Sequence, residues 1–409
     1  MTPYNIPETF SVGAAHAEVN PPLGISLAGH GVENAKTRLS TENWDELTLC
    51  CTALADGEEV ALLYTVDCSC LAEHIIAPML KLVEEHYGIP EKNVILQATH
   101  THAGPTMYSR HELFPKTAEY LDTIFHPALL RVTKEALEDL TPARLFIGKG
   151  ETRGLNYVRR YISREDGSFL GNWPEKGQDA SKIMHESEPD EEMQVIRFKR
   201  EGKKDVILVN WQCHPTSSGG SKKTNTSSDW PGIIRKTVGE QENAVCTFHQ
   251  GAAGNLIPYS AIAGEKGFAG DAFREHGALL SQVVTDILKN KMEPAETGKL
   301  VITKEQFPMK RKDGRDTTIP LSVIGCGDIA FATTPNETFS QNGKQVKEGS
   351  PFKMTFFCEL TNGDRGYIPS EECFKNGGYE VRICPHGEGA GERIANELIY
   401  MLKGNYTKN

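Results

Sequence analysis

Apolar runs of strand length alternate with stretches of helical periodicity in the first quarter of the chain. Residues 59–66 are largely apolar and predict a buried strand, and the apolar positions of residues 71–87 recur at helical spacing until the stop signal at residues 88–90. Another apolar strand begins near Asn93. A strand, a helix and a strand in this order favour neighbouring parallel strands, because the helix crosses over between them.

The same mixture of periods continues to the end of the chain. A long helix is predicted over residues 117–140 with a kink or break near Pro127, and residues 193–198 and 206–211 predict a hairpin. Later elements are predicted as a strand over 244–248, a helix over 270–289, a strand over 329–334, a helical stretch over 337–348 and a closing helix near 391–402. We therefore predict an α/β fold with mixed β-sheets that are flanked by helices.

The strand that begins near Asn93 runs into two histidines, His100 and His102. Side chains of an extended segment alternate between its two faces, so we expect both imidazoles to point the same way. Residues 103–105, Ala-Gly-Pro, then turn the chain and leave the pair at the exit of the strand, where α/β proteins usually place their chemistry. The pair indicates a metal or proton-transfer site, and a hydrogen-bonded structural pair is the alternative.

A second strand also delivers a histidine to a turn. Residues 206–211 lead into His214, and the helix that follows is predicted to begin at Asp229, which is either its N-cap or an acid that holds a metal-bound histidine. The small residues 251–255, Gly-Ala-Ala-Gly-Asn, come after a further strand and let backbone amides approach a ligand closely. The layout around His100 is therefore repeated around His214.

Residues 156–189 form a long stretch that is rich in charge, glycine and proline, and they predict a functional or mobile loop. The stretch contains Arg159, Arg160 and Arg164. These arginines are either solvated loop charges or groups that bind an anion or a carbonyl oxygen.

Composition and charge narrow the functional classes. The chain has 409 residues, of which 38% are hydrophobic, and a formal net charge of -11, as expected for a soluble globular protein. Nucleic acid and anionic membranes are disfavoured as partners, because both need a basic face. Neither a signal peptide nor a run of about 18 apolar residues is present, so no membrane span is predicted and a cytoplasmic location is expected. The expected partner is a small-molecule substrate, with a homo-oligomer left open.

The ten cysteines are spread through apolar, strand-like segments. They lack the Cys-x-x-Cys spacing that is typical of structural zinc sites and of thioredoxin-like sites. Reduced and mostly buried thiols are therefore expected.

Five motifs, taken in order, resemble the catalytic domain of the neutral ceramidase family. They are residues 98–105 (Ala-Thr-His-Thr-His-Ala-Gly-Pro), the strand that leads to His214, residues 251–258 (Gly-Ala-Ala-Gly-Asn-Leu-Ile-Pro), residues 334–337 (Thr-Pro-Asn-Glu), and Gly366-Tyr367 followed by Tyr379-Glu380. The resemblance covers nearly the whole chain. It implies that residues 1–409 form a single domain with the fold of that catalytic domain.

The resemblance also implies a zinc ion (Zn²⁺) as cofactor. The positions that match the family's metal ligands are His100, His214, Glu337 and Tyr367. The positions that match residues holding the scissile amide or its charged product are His102, Arg159 and Tyr379. Neutral imidazoles and a carboxylate are ordinary zinc ligands and leave room for water and a substrate oxygen. Tyrosine is the unusual ligand, and a buried, hydrogen-bonded tyrosine beside the site is the alternative.

Some positions depart from the family pattern. Asn336 precedes Glu337 where the family usually has glycine, and asparagine tolerates the turn better than most residues. Asn255 and Ile257 stand where ceramidases carry aspartate and serine. The resemblance is to the catalytic domain and runs to Asn409, so the additional C-terminal immunoglobulin-like domain of ceramidases is not expected. Long-chain ceramide is therefore not the expected substrate.

Together, these features predict a zinc-dependent amidohydrolase that cleaves the carbon–nitrogen bond of a small, soluble N-acyl compound. Among enzymes, the alternative is a hydrolase of esters, lactones or sugar derivatives that uses the same metal. In a different class, the alternative is a catalytically silent homologue that binds the metal or a ligand without turnover.

Overall fold

The computed structural model describes residue 4 and residues 6–107, 114–172, 179–260, 262 and 272–408. Its α-helices are α1 Val32–Thr37, α2 Glu73–Tyr87, α3 Pro115–Tyr120, α4 His126–Glu138, α5 Asp229–Glu242, α6 Phe273–Asn290, α7 Ser340–Gly349, α8 Glu371–Phe374, α9 Tyr379–Ile383 and α10 Ala390–Tyr406. Within these residues, no helix combines the length and the apolar character that crossing a membrane requires.

The strands fall into two main sheets and several short ones. They are β1 Ser11–Glu18, β2 Glu42–Asn43, β3 Thr48–Ala55, β4 Val60–Val66, β5 Val94–Ala98, β6 Thr141–Glu151, β7 Tyr157–Val158, β8 Tyr161–Ser163, β9 Phe169–Gly171, β10 Ile183–His185, β11 Glu192–Arg200, β12 Val206–Trp211, β13 Asn225–Thr226, β14 Val245–Gln250, β15 Leu256–Ile257, β16 Glu293–Ala295, β17 Leu300–Lys310, β18 Asp316–Cys326, β19 Ile329–Thr333, β20 Glu337–Thr338, β21 Met354–Cys358 and β22 Tyr367–Ile368.

The first main sheet has the strand order β14-β12-β11-β6-β1-β3-β4-β5, with β16 paired to β6. Every residue of β4 and β5 is buried, as expected for strands that are covered on both faces. The predicted strand–helix–strand unit is confirmed, because β4 and β5 pair in parallel with Leu62 opposite Val94. The two end strands also meet, since the Gln97 side chain on β5 donates to the Gln250 carbonyl oxygen on β14 at 2.8 Å.

The second main sheet, β17-β18-β19-β21, packs face to face on the first. The core between them is apolar and includes Leu54 and Ile196 from the first sheet and Phe331 and Phe356 from the second. Helices α2 and α4 cover part of the outer face of the first sheet, α5 and α6 cover another part, and α7 and α10 cover the second sheet. The layers are therefore helix, sheet, sheet and helix, which confirms a mixed α/β fold.

The predicted helices are present with small differences in their bounds. Helix α2 ends where it was predicted to end, and Gly88 caps it in the left-handed conformation with φ 68°. The predicted helix over 117–140 consists of α3, a π-helical turn at Leu121–Phe125 and α4. The irregularity expected near Pro127 is therefore confirmed, because the π turn lies directly before the helix segment that contains this proline.

Other elements correct the predictions. The predicted start of α6 at Gly270 lies outside the described residues, and α6 is seen from Phe273. Within residues 156–189, of which 173–178 also lie outside the description, the chain is not a plain loop. Strands β8, β9 and β10 form a small three-stranded sheet there, and β7 pairs with β15. Periodicity missed these strands because they are only two or three residues long.

Candidate active site

The candidate site lies at the seam where the exits of first-sheet strands meet the second sheet. His100 follows β5 by two residues and His214 follows β12 by three. Glu337 and Tyr367 lie opposite each other in the short parallel pair β20–β22. The four predicted metal ligands therefore come from both sides of the seam and converge on one point.

His100 reaches the site by a different route from the predicted one. Strand β5 ends at Ala98, and His100 has a left-handed backbone with φ 73°, which is uncommon for a residue with a side chain. Its backbone amide donates to the Cys68 carbonyl oxygen at 2.9 Å, which helps to hold this conformation. The prediction that His100 and His102 point together is confirmed, since their Nε2 atoms are 3.5 Å apart. The strand alternation that was given as the reason is wrong.

Glu337 lies between the two histidines that are predicted to bind metal. Its Oε2 is 3.2 Å from His100 Nε2 and 3.2 Å from His214 Nε2. The Tyr367 hydroxyl lies 3.4 Å from His214 Nε2. The prediction that a helix starts at Glu337 is wrong. Glu337 begins β20, and α7 starts three residues later. The backbone pairing with β22 therefore sets the position of its carboxylate.

The other ring nitrogens of these two histidines face backbone carbonyls. His100 Nδ1 is 2.6 Å from the Ser69 oxygen, and His214 Nδ1 is 2.8 Å from the Ala253 oxygen and 3.0 Å from the Leu256 oxygen. Nδ1 therefore carries the hydrogen, and Nε2 presents a lone pair. Two lone pairs and a carboxylate oxygen then point at each other within hydrogen-bond distance, an arrangement that fits a bound cation and the usual outer partners of metal-binding histidines.

His102 differs from both of them. It belongs to the one cluster of metal-binding type found in the described part of the chain, in which ligand atoms of His100, His102 and His214 lie within 4.8 Å of one another. Its Nδ1, however, is buried without a hydrogen-bond partner among the described residues. The exposed His30 ring contacts it edge-on at 5.4 Å between centroids. His102 therefore lacks the carbonyl anchor at Nδ1 that His100 and His214 have, and that metal-binding histidines usually have.

Arg159 forms the wall next to His214. It follows β7, and its guanidinium donates to Glu380 at 2.8 Å and to the Gly254 carbonyl oxygen at 2.9 Å. The same group lies 5.4 Å from the centroid of the Tyr367 ring. Arg159 is therefore a buried and oriented cation beside the predicted metal ligands.

Glu380 is a site residue to which the sequence analysis gave no role. It is fully buried and accepts hydrogen bonds from Arg159, from Arg160 at 3.2 Å and from the Asn172 amide at 2.7 Å. Arg160 also pairs with Glu186, so two buried arginines face two carboxylates. The signal for Glu380 in the sequence is its place beside Tyr379 in the last of the five motifs. Arg164, in contrast, is an exposed loop charge.

Tyr379 lies at the start of α9, on the side of the site next to Tyr367. The two rings meet edge to face with centroids 5.8 Å apart. The Tyr379 backbone amide donates to the Asn172 side-chain oxygen at 3.0 Å, which ties α9 to the cluster around Glu380. All seven predicted site residues are thus brought to one place.

Burial and neighbouring charges shift the pKa values of these groups. Burial alone would raise the pKa of Glu337, but the two imidazoles lower it well below its usual value. Burial, and then Arg159, lowers the pKa of His214 to about 4, and burial followed by its histidine neighbours lowers the pKa of His102. Burial, followed by Glu337, raises the pKa of Tyr367. At neutral pH the imidazoles of His102 and His214 are therefore neutral, and Glu337 is a carboxylate.

Neither role considered for Asp229 is present. Ser228 occupies the N-cap position of α5, and Asp229 is the first helical residue. Its carboxylate accepts hydrogen bonds from the Ser218 amide at 2.5 Å and the Ser218 hydroxyl at 2.6 Å. It holds neither metal-binding histidine, because the Nδ1 atoms of His100 and His214 face backbone carbonyls instead.

Two of the three positions that depart from the family pattern, Asn255 and Ile257, make defined contacts in the structure. Asn255 accepts a hydrogen bond from the Ser340 amide at 2.9 Å at the start of α7, and it donates to the Gln341 side chain at 3.0 Å. Ile257 is buried in β15 opposite Tyr157. The ten cysteines are all buried and free, as expected.

Comparisons with known proteins agree with the geometry. The model of the family "Neutral/alkaline non-lysosomal ceramidase, N-terminal" matches residues 53–266, which include His100, His102, Arg159 and His214. Neutral ceramidase from Pseudomonas aeruginosa is 28% identical over 193 residues, which cover 44% of this chain and 26% of that protein. Neutral ceramidase B from Dictyostelium discoideum is 27% identical over 203 residues, which cover 46% of this chain and 25% of that protein.

Solved structures extend the likeness over almost the whole fold. The crystal structure of the Pseudomonas aeruginosa neutral ceramidase matches with a TM-score of 0.75 at 16% identity and covers 97% of this chain and 74% of that one. A ceramidase complexed with C2 matches with a TM-score of 0.77 at 15% identity, over 99% of this chain and 76% of that one. The segments aligned with the two curated relatives span only about a quarter of their length. More than half of this chain matches the family model, and the chain therefore belongs to the neutral/alkaline non-lysosomal ceramidase family.

Proposed function

We propose that this chain is a zinc-dependent hydrolase that cleaves the amide bond of a small N-acyl substrate. The observation that carries the proposal is the convergence of His100 Nε2 and His214 Nε2 on one oxygen of Glu337, each at 3.2 Å, while both Nδ1 atoms face backbone carbonyls. Membership of the ceramidase family supports amide chemistry over other hydrolyses.

His100, His214 and Glu337 would hold the ion, with Tyr367 as the fourth ligand. A zinc ion bound there supplies Lewis-acid polarisation of a carbonyl oxygen and lowers the pKa of bound water to about 7. The anchored Nδ1 atoms keep both imidazoles in the tautomer that binds metal, which lowers the entropic cost of closing the site.

In this proposal, His102 carries protons. Hydrolysis adds the elements of water across the carbon–nitrogen bond, so the departing nitrogen must gain a proton as the bond breaks. His102 stands 3.5 Å from His100 and is not anchored through Nδ1, so it can pass that proton to the amine. Arg159 and Tyr379, on the other side of Tyr367, orient the amide oxygen or the carboxylate product.

The proposed substrates are short or polar acyl amides. Ile257 presents no hydroxyl in the strand next to Arg159, so a polar substrate group bound there would lose a partner. Long-chain ceramide is accordingly expected to be a poor substrate for this chain.

The test combines metal analysis of the purified protein with kinetics on matched N-acyl amides, esters and lactones of the same acyl group. Bound zinc and turnover of the amides support the proposal. Turnover of lactones or esters alone would replace it with the ester alternative, and zinc binding without any turnover would favour the silent homologue. His16→Ala, an exposed imidazole on β1, is the control for non-specific zinc binding.

A further inference from the structure

The proposed zinc ligands stand on two separate parts of the fold. His100 and His214 follow strands of the first sheet, whereas Glu337 and Tyr367 belong to β20 and β22 beside the second sheet. An ion bound by all four requires these parts to keep their spacing to within a few tenths of an ångström, because metal–ligand distances vary little. Contacts that hold the first-sheet strand exits at a constant distance from β20 and β22 therefore also hold the four proposed ligands in place.

Glu359 lies inside this seam. It follows β21 and is 0% exposed. Its backbone amide donates to the Gln250 carbonyl oxygen on β14 at 3.2 Å, and its carbonyl oxygen accepts from the Gln97 side chain on β5 at 2.9 Å. The backbone of Glu359 is thus bound to both end strands of the first sheet.

The Glu359 side chain contacts the other part of the site. Its Oε2 accepts a hydrogen bond at 2.8 Å from the backbone amide of Thr338, the residue after Glu337. The adjoining turn is close as well, because the Gly254 amide donates to the Thr338 carbonyl oxygen at 2.8 Å. This turn contains Ala253, whose carbonyl oxygen receives Nδ1–H of His214.

The second carboxyl oxygen of Glu359, Oε1, is also buried. Oε1 is buried without a hydrogen-bond partner at normal distance among the described residues. Burial, followed by the charge of Glu337, raises the pKa of Glu359, while the backbone amides of Thr338 and Ala253 oppose the shift. A buried carboxyl group is destabilising unless neighbours compensate it, so its presence at the seam needs a reason.

We propose that Glu359 is a positioning residue that fixes Glu337 relative to the carbonyl partner of His214, a role that rests on the proposed zinc site. Among the described residues, no hydrogen bond or ion pair joins the Glu359 side chain to the four proposed ligands. It acts through two backbone segments: Thr338, which continues from Glu337, and the turn with Ala253, which orients His214.

The backbone conformation after Glu359 indicates that neighbouring contacts hold this segment in place. Leu360 and Asn362, which follow it, have left-handed backbones with φ 49° and 55°. Such conformations are unfavourable for residues with side chains and persist only where neighbouring contacts determine them. Here the Asn362 side chain accepts a hydrogen bond from the Leu96 amide on β5 at 2.9 Å, next to the strand that leads to His100.

The test is the zinc dissociation constant, measured by competition with a chromophoric chelator in the full chain. Glu359→Leu removes the acceptor and should raise the Kd for zinc about 10- to 100-fold, as is typical for loss of an outer partner of a metal site. Glu359→Gln keeps an acceptor oxygen for the Thr338 amide and should stay close to the native Kd. Glu359→Ala also removes the carboxyl acceptor, should raise the Kd in the same direction, and serves if the leucine variant does not fold.

A matched control separates positioning from stability. Asn405 on α10 is equally buried and donates to the Val301 and Val323 carbonyl oxygens at 2.7 and 3.2 Å, on β17 and β18, which carry none of the predicted site residues. Asn405→Ala should lower the unfolding midpoint without changing the Kd for zinc.

Two results would overturn the inference: a native Kd in a folded Glu359→Leu or Glu359→Ala variant, or a glutamine variant that binds zinc as weakly as the leucine variant. If the native protein holds zinc but cleaves no amide, the proposed reaction fails while the Kd still tests Glu359. If the native protein binds no zinc, both proposals fail.

Discussion

The two sides of the candidate site differ in the groups that they contain: one side consists of hydrogen-bond acceptors, and the other consists of ion pairs. On the metal side, His100, His214 and Glu337 present acceptor atoms to a common point, and backbone carbonyls anchor the two histidines. On the arginine side, two buried guanidinium groups face two carboxylates, and Glu380 holds both arginines.

Because of this difference, we expect a bound ion to stabilise the metal side and the protein's own ion pairs to stabilise the arginine side. The acceptors of the metal side repel each other unless a cation lies between them, so this side should depend on zinc. The arginine side is balanced in charge by its own residues, so it should persist without metal and depend on intact ion pairs. Substitutions on the metal side should therefore reduce zinc binding and turnover, whereas substitutions on the arginine side should reduce stability.

The largest expected effect is on the metal side. His214→Ala should abolish stoichiometric zinc binding and lower kcat/KM by roughly 10³-fold, because a catalytic metal contributes several kcal/mol and each 1.4 kcal/mol is a factor of ten. Metal analysis after dialysis and steady-state kinetics provide the measurements, with His16→Ala as the control. Full zinc occupancy in the His214 variant would remove this residue from the ligand set.

His102, which contacts His100 and His214 on the metal side, should give the next largest effect. His102→Gln should keep its zinc and lower kcat by about 10²- to 10³-fold, the range expected for loss of a positioned proton carrier. Zinc content and kcat are measured on the same sample. Loss of the ion would instead make His102 a third imidazole ligand, which the 4.8 Å cluster of His100, His102 and His214 would accommodate.

On the arginine side, the expected effect is on stability. Glu380→Leu leaves Arg159 and Arg160 buried with half of their compensating charge, and it should lower the free energy of unfolding by about 3–5 kcal/mol. Urea unfolding with zinc bound is the measurement. Asp313→Leu breaks an exposed pair with Arg315 and should leave the midpoint nearly unchanged. Equal losses in the two variants would contradict the proposed importance of the buried cluster.

The smallest effect concerns substrate preference. Native protein should favour a short acyl amide over dispersed long-chain ceramide, and Ile257→Ser should shift the ratio of kcat/KM towards ceramide by roughly ten- to a hundredfold, from about 1–3 kcal/mol for a restored hydrogen bond. Ile257→Val keeps the apolar character and should leave the ratio unchanged. A native preference for ceramide would refute the proposed substrate class.

Local signals in the sequence were sufficient for much of the fold. Helix α2, the parallel pair β4–β5 and the hairpin β11–β12 are confirmed, because apolar period and stop residues act over short distances. Pro127 marked the irregularity between α3 and α4 for the same reason. Short strands such as β8 and β20 were missed, since two or three residues carry no readable period.

For the site, the sequence by itself determined that histidines follow the apolar strands, and the five ordered motifs identified the seven predicted site residues. Only the tertiary structure decided how they are held: the left-handed backbone at His100, the carbonyl anchors that distinguish His214 from His102, and the buried carboxyl groups Glu359 and Glu380. Glu380 meets Arg159 across 221 residues of chain. Such contacts depend on how the two sheets pack, and no local pattern of residues specifies that packing.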